Sequence, residues 1–145
     1  FSGSGAMGLE AISRGAQKAV FVEKDHLCAK VIEENITLLK IGPYENYQYP
    51  YEVIQADSFG TIREMERQKR QFDIIYIDPP YEKELGKKAL KLLDTYGIVH
   101  PNSWVMIEHQ KREILPESVG RFSLFREKKY GNKIISIYKI QNSKP

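Results

Sequence analysis

The sequence holds a single cysteine, Cys28, so no internal disulfide can form and no thiolate cluster can grip a metal. Its three histidines, His26, His100 and His109, show no ligand-like spacing, and no metal site is expected. Nowhere is there a run of the roughly 18 apolar residues that a bilayer-spanning helix needs. The opening stretch FSGSGAMGLE lacks the basic and apolar regions of a secretory leader. These absences point to a chain without a membrane segment in a reducing compartment, and the cytoplasm is the expected location. Internal repeats, low-complexity tracts and domain linkers are also missing, so 145 residues predict one domain over residues 1–145 with one core. A final absence lies at the start, where Phe1 stands directly before a glycine turn of a kind that normally follows the first strand of a sheet. The chain therefore reads as N-terminally truncated, with its first strand missing.

Charge of either sign is not dominant: 22 Lys and Arg against 19 Asp and Glu leave a net charge of +3. The positive residues are clustered, however, with Lys83, Lys87, Lys88 and Lys91 in one group and Arg126, Lys128, Lys129 and Lys133 in another. Such clusters suit a polyanion; the plainer alternative is a solvated face.

Hydrophobic periodicity alternates between helix and strand. Helices are predicted over Ala6–Arg14, His26–Leu39, Thr61–Gln68 and Glu84–Leu93, and strands over Ala19–Glu23, Tyr51–Ala56, Phe72–Ile77 and Trp104–Glu108. Trp104 is expected in the core. This is the rhythm of an α/β protein with a mostly parallel sheet. It breaks at the end, where Phe122–Lys129 and Lys133–Ile140 read as a hairpin turning at Tyr130-Gly131-Asn132. Tyr130 is equally suited to touching a ligand or to forming a good turn.

Gly3-Ser4-Gly5-Ala6-Met7-Gly8 fits G-x-G-x-x-G and leads into a helix. Gly3 and Gly5 permit a tight turn and close approach of a ligand, and Gly8 permits close packing of the helix. Glu23 ends the next strand about 20 residues on, where a carboxylate can accept hydrogen bonds from ribose hydroxyls. An adenosine-like ligand is implied, and the glycines alone leave NAD, a flavin and S-adenosylmethionine all open.

The strand FDIIYI runs into Asp78-Pro79-Pro80-Tyr81. Two prolines fix φ, remove amide donors and make a rigid extended elbow dominated by acceptors. The Asp78 carboxylate and the Pro79 carbonyl can grip the hydrogens of an NH2 group, while Tyr81 stacks on the ring that bears it. Acceptors so placed stabilise the positive charge that grows on an aromatic amine as it attacks an electrophile, such as a sulfonium methyl group. With the strand order 3-2-1-4-5, this elbow and the glycine turn meet at the switch point of the sheet. Glu108 and His109, ending the next strand, are candidates for the rim of the pocket.

Taken in order, FSGSGAMGLEAISRGA, FVEKD at 21–25, Asn35, Asp57, DPPY at 78–81 and KKYGN at 128–132 resemble the bacterial 16S ribosomal RNA guanine-N2 methyltransferases of the RsmD type. The resemblance implies the three-layer, Rossmann-like class I methyltransferase fold with an antiparallel last strand from the terminal hairpin. It implies S-adenosylmethionine as cofactor, held by Phe1, Gly3, Gly5, Glu23, Asp57, Ser58, Phe59 and Asp78. Guanine would be held by Asp78, Pro79, Pro80 and Tyr81. The implied partner is ribosomal RNA or a small-subunit particle, met by a monomer. Two other readings use part of the same evidence. A DNA adenine or cytosine amino-methyltransferase would need a target-recognition region that has no room here. An NAD-dependent oxidoreductase would leave the Pro-Pro-Tyr elbow unexplained. A non-catalytic RNA-binding fragment is a third alternative, raised by the missing strand.

Overall fold

The computed structural model describes residues 1–3, 5–42, 49–80 and 84–141. They form two compact units, Phe1–Thr61 and Ile62–Pro145, treated in turn.

In the first unit, α1 (Ala6–Ser13) precedes β1 (Ala19–Glu23), α2 (His26–Leu38) and β2 (Tyr51–Gln55). The two strands pair in parallel from Ala19↔Tyr51 to Glu23↔Gln55, so their carboxyl ends lie side by side. Helix α2 begins where the Asp25 side chain accepts the Cys28 N–H at 2.9 Å, satisfying an amide that the helix cannot. Ala29, Ile32 and Ile36 form its buried stripe, and Leu27 and Leu38 face outward. Leu9, Phe21, Ile32 and Ile36 make the core of this unit, with Ala19, Ile41, Tyr51 and Val53 against it.

Helix α3 (Ser58–Arg67) runs from the first unit into the second. It starts three residues before the predicted Thr61, because the Asp57 carboxylate accepts the Gly60 N–H at 3.0 Å and caps the first turn.

The second unit continues with β3 (Phe72–Ile77), α4 (Leu85–Thr95), β4 (Val99–Gln110), the two-residue β5 (Ser118–Val119), β6 (Phe122–Tyr130) and β7 (Lys133–Ile140). Its sheet has the order β3-β4-β7-β6-β5. β3 and β4 are parallel, whereas β7 lies antiparallel to β4 and forms the expected hairpin with β6. β4 starts five residues before the predicted Trp104. There Ser103 Oγ accepts the His100 N–H at 2.9 Å and donates to the Phe72 carbonyl at 2.6 Å, holding a polar, proline-containing stretch in extended form. Val105, Ile107, Phe122, Tyr138, Leu90 and Leu93 are buried. Trp104 is not a core residue. Strand alternation places it opposite in sense to Ser103 and Val105, and it stays 37 % exposed, tilted against Phe125 with Lys139 over its ring.

Candidate functional site

In the first unit, the glycine turn is built on two left-handed residues, Gly3 (φ 55°) and Gly5 (φ 81°), conformations that L side chains rarely adopt. Gly5 is buried against Ile32 and Phe21, whereas a Cβ on Gly3 would meet nothing within 4 Å, so the space beside Gly3 is open. The Gly3 N–H donates to Glu23 Oε1 at 2.8 Å and the Asp25 N–H to Glu23 Oε2 at 3.1 Å. These bonds fix the carboxylate at the end of β1 while each oxygen keeps a further lone pair for an incoming hydroxyl. Ser2 docks beside β1, with its hydroxyl donating to the Val22 carbonyl and accepting the Val22 N–H, both at 3.0 Å.

Next to Glu23, the Ala56 N–H donates to its carbonyl at 3.1 Å and leads the chain into Asp57, Ser58 and Phe59. The Phe1 nitrogen donates to Ser58 Oγ at 3.1 Å, and the Phe1 ring stands edge-on to Phe59 with centroids 5.6 Å apart. Of the residues that the resemblance assigns to the cofactor, Phe1, Gly3, Gly5, Glu23, Asp57, Ser58 and Phe59 thus lie around the carboxyl ends of β1 and β2. The set fits a nucleoside: an oriented carboxylate for hydroxyls, a second acid in Asp57, ring edges and an open turn. Within the turn, the Gly3 amide serves Glu23 and the Gly5 amide donates to the Ser2 carbonyl at 2.9 Å.

In the second unit, Asp78 follows β3 and is half-buried, Pro79 is buried and Pro80 is exposed. Tyr81 lies outside the described residues. The pair Ile77↔Ile107 brings Asp78 and Glu108 together as the next residues of two parallel strands. Tyr76 donates its hydroxyl to Glu108 Oε2 at 2.5 Å, and Lys133 Nζ lies 3.1 Å from Glu108 Oε1. Burial, then the neighbouring Glu108 charge, raises the Asp78 carboxyl above the usual range. Burial pushes Glu108 in the same direction, but the hydrogen bonds from Tyr76 and Lys133 outweigh it and hold Glu108 below its usual value. Burial and the bond to Glu108 also keep the Tyr76 phenol protonated well above its ordinary range.

His109 is separated from this group. It is 2 % exposed on the other face of β4, where its Nδ1 donates to the Gln110 carbonyl at 3.0 Å and its Nε2 accepts from Ser136 Oγ at 2.7 Å. It holds β4 to β7 and does not join Asp78. Sequence reasoning passed over Tyr76 and counted Lys133 only in a basic cluster, although the two-residue period of a strand already puts Tyr76 on the Asp78 side. On the terminal hairpin, Arg126, Lys128, Lys129 and Tyr130 are all exposed, a combination suited to phosphates and base faces.

The profile of the family described as conserved hypothetical protein 95 matches residues 1–139. The chain belongs to this family. Among similar proteins, the ribosomal RNA small subunit methyltransferase D of Haemophilus influenzae is 33% identical over 144 residues, 98% of this chain and 69% of its own length. A conserved hypothetical protein of Streptococcus pyogenes superposes with a TM-score of 0.84 at 28% identity, over 97% of this chain and 82% of that one. A SAM-dependent methyltransferase of Agrobacterium tumefaciens superposes with a TM-score of 0.63 at 22% identity, over 79% of this chain and 38% of that one, a likeness of fold. The family member described here accordingly has the Rossmann-like α/β fold of class I methyltransferases.

Proposed function

We propose that this protein transfers a methyl group from S-adenosylmethionine to the exocyclic N2 amine of a guanine in small-subunit ribosomal RNA. The observation that carries the reading is Asp78, a half-buried carboxylate at a strand end, followed at once by two prolines, in a chain of a family with ribosomal RNA methyltransferases among its relatives. Phe1, Gly3, Gly5, Glu23, Asp57, Ser58 and Phe59 hold the cofactor. S-adenosylmethionine, when bound, supplies an electrophilic methyl carbon.

Asp78 and the Pro79 carbonyl accept the two hydrogens of the amine, aim its lone pair and stabilise its developing positive charge. Pro80 stiffens the elbow and Tyr81 stacks on the base. Holding the base at this elbow requires it to be turned out of its surroundings, and the basic hairpin steadies the adjoining phosphates. The protein works as a monomer in the cytoplasm, on ribosomal RNA or an assembling small-subunit particle.

The test is incubation with labelled S-adenosylmethionine and small-subunit RNA or particles, followed by nucleoside analysis. Label is expected in N2-methylguanosine. Asp78→Ala is expected to abolish it while calorimetry still records cofactor binding. Label on adenine or cytosine sinks the assignment of the base, and absence of any transfer sinks the reading.

A further inference from the structure

The cluster around Glu108 is not absorbed by base holding. Tyr76 reaches Glu108 from β3 at 2.5 Å and Lys133 reaches it from β7 at 3.1 Å, so both oxygens are engaged and the carboxylate has one orientation. Only 15% of its side chain is exposed. Three strands thus converge on one acid, and that acid stands beside Asp78 because Ile77 and Ile107 are partners in register. Two neighbouring carboxylates are costly to bury together unless hydrogen bonds and opposite charge compensate them. Glu108 has its two donors from Tyr76 and Lys133. Asp78, half-buried at the end of β3, shares a side-chain hydrogen bond with Glu108.

We propose that Glu108 is a positioning residue for methyl transfer: clamped between Tyr76 and Lys133, it stands beside Asp78 and makes Asp78 the group that takes the proton shed by the amine. The inference rests on the methyltransferase reading above and extends it. The amine nitrogen gives its lone pair to the methyl carbon, and the carbon–sulfur bond breaks with both its electrons passing to sulfur. The nitrogen, now cationic, returns to neutrality by releasing one proton, which a carboxylate oxygen of Asp78 receives. A neutral thioether, an N2-methylated guanine and a protonated Asp78 result, with charge conserved.

The electrostatics agree with this division of labour. Burial and the Glu108 charge raise the proton affinity of Asp78, whereas Glu108, despite its own burial, is kept ionised by its two donors. The groups that face the pair are Tyr76 from β3, Lys133 from β7 and, beyond Tyr76, Tyr130 at the hairpin. Lys133 acts against Glu108 on Asp78, lowering its proton affinity. Removing one or the other must therefore move Asp78 in opposite directions, which a loss of packing alone cannot do.

The experiment combines carbon NMR titration of the Asp78 carboxyl in cofactor-free protein with pH–rate profiles, using labelled S-adenosylmethionine and small-subunit particles. Glu108→Gln is expected to move both the titration and the acid limb of kcat down by about one pH unit, and Lys133→Met to move both upward. In Glu108→Gln, kcat falls while KM for the particle holds. Wild-type methylation with an Asp78 titration unmoved in both variants overturns the proposal alone. Absence of methylation in the wild type overturns the functional reading and with it the proton step. Should Glu108→Gln not fold, the half-exposed Lys133 still decides, because an unmoved titration in Lys133→Met overturns the proposal.

Discussion

Gly8 of α1 lies so close to the ring of Phe21 on β1 that a Cβ at position 8 would stand 2.2 Å from Phe21 Cε1 and 2.6 Å from Cζ. Phe21 is 2 % exposed and belongs to the core with Leu9, Ile32 and Ile36, so the ring has no room to retreat. Gly8→Ala should destabilise the protein by about 1–3 kcal/mol through overpacking, read as a lower urea midpoint. Gly131 provides the contrast: its φ of 58° is left-handed but nothing lies within 4 Å of an added Cβ. Gly131→Ala should cost only the backbone strain, about 1–2 kcal/mol. A midpoint unchanged by Gly8→Ala contradicts the close approach.

Glu23 orients the glycine turn and presents its remaining lone pairs beside Asp57. Glu23→Ala should weaken S-adenosylmethionine binding by about 1.5–3 kcal/mol, roughly 10- to 150-fold in Kd, as expected for lost hydrogen bonds to a charged acceptor. Glu23→Gln, which keeps one acceptor oxygen, should lose less. Isothermal calorimetry with a parallel melting curve separates the effect from unfolding; equal affinity in Glu23→Ala would remove Glu23 from the cofactor site.

Much of this architecture was legible because its signals are local. The strands at 19–23 and 72–77 are short apolar runs closed by polar or proline residues, and they fall where their patterns place them. The glycine spacing likewise announces a tight turn and a closely packed helix. What escaped depends on partners distant in sequence. Trp104 reads as core from its type alone, but its neighbour in space is the bulged Phe125 of β6, and together they remain at the surface. The early start of β4 depends on Ser103 meeting Phe72, 31 residues away. Glu108 and Tyr76 are 32 residues apart and meet only because β3 and β4 run in parallel register, so no local pattern could announce their bond.

Asp94 at the end of α4 accepts the backbone N–H of Arg121 at 2.9 Å and its guanidinium Nε at 3.1 Å. The backbone bond chiefly, aided by the guanidinium, holds its carboxyl below the usual carboxylate value. A folded-state value below the unfolded one means that the stabilisation is complete above about pH 4, the ordinary range, and is lost as pH falls through the folded value. Asp94→Asn should therefore be less stable than wild type at neutral pH, and the two should converge on acidification. Chemical denaturation between pH 7 and pH 3 measures this; a constant difference would mean that Asp94 titrates normally.

Tyr138, at 0 % exposure, donates its hydroxyl to the Pro116 carbonyl at 2.6 Å, tying β7 to the segment that leads into β5. Tyr138→Phe removes this bond and leaves the carbonyl without it, at a cost of about 1 kcal/mol at neutral pH. Burial, with a smaller contribution from Glu127, pushes the phenol up to about 12 in the folded protein. The unfolded phenol ionises near its ordinary value of about 10. Because the folded value is the higher one, the contribution of this group is complete below pH 10 and is lost as pH rises towards 12. The rest of the chain is the same in both proteins, so the informative quantity is the difference between wild type and Tyr138→Phe. That difference should be constant from pH 7 to 9 and then shrink, and reverse in sign if burial of the phenol dominates its hydrogen bond. Urea titrations at fixed intervals up to pH 11 provide the measurement, and a difference that stays level through pH 11 would show that the hydroxyl is reached by water.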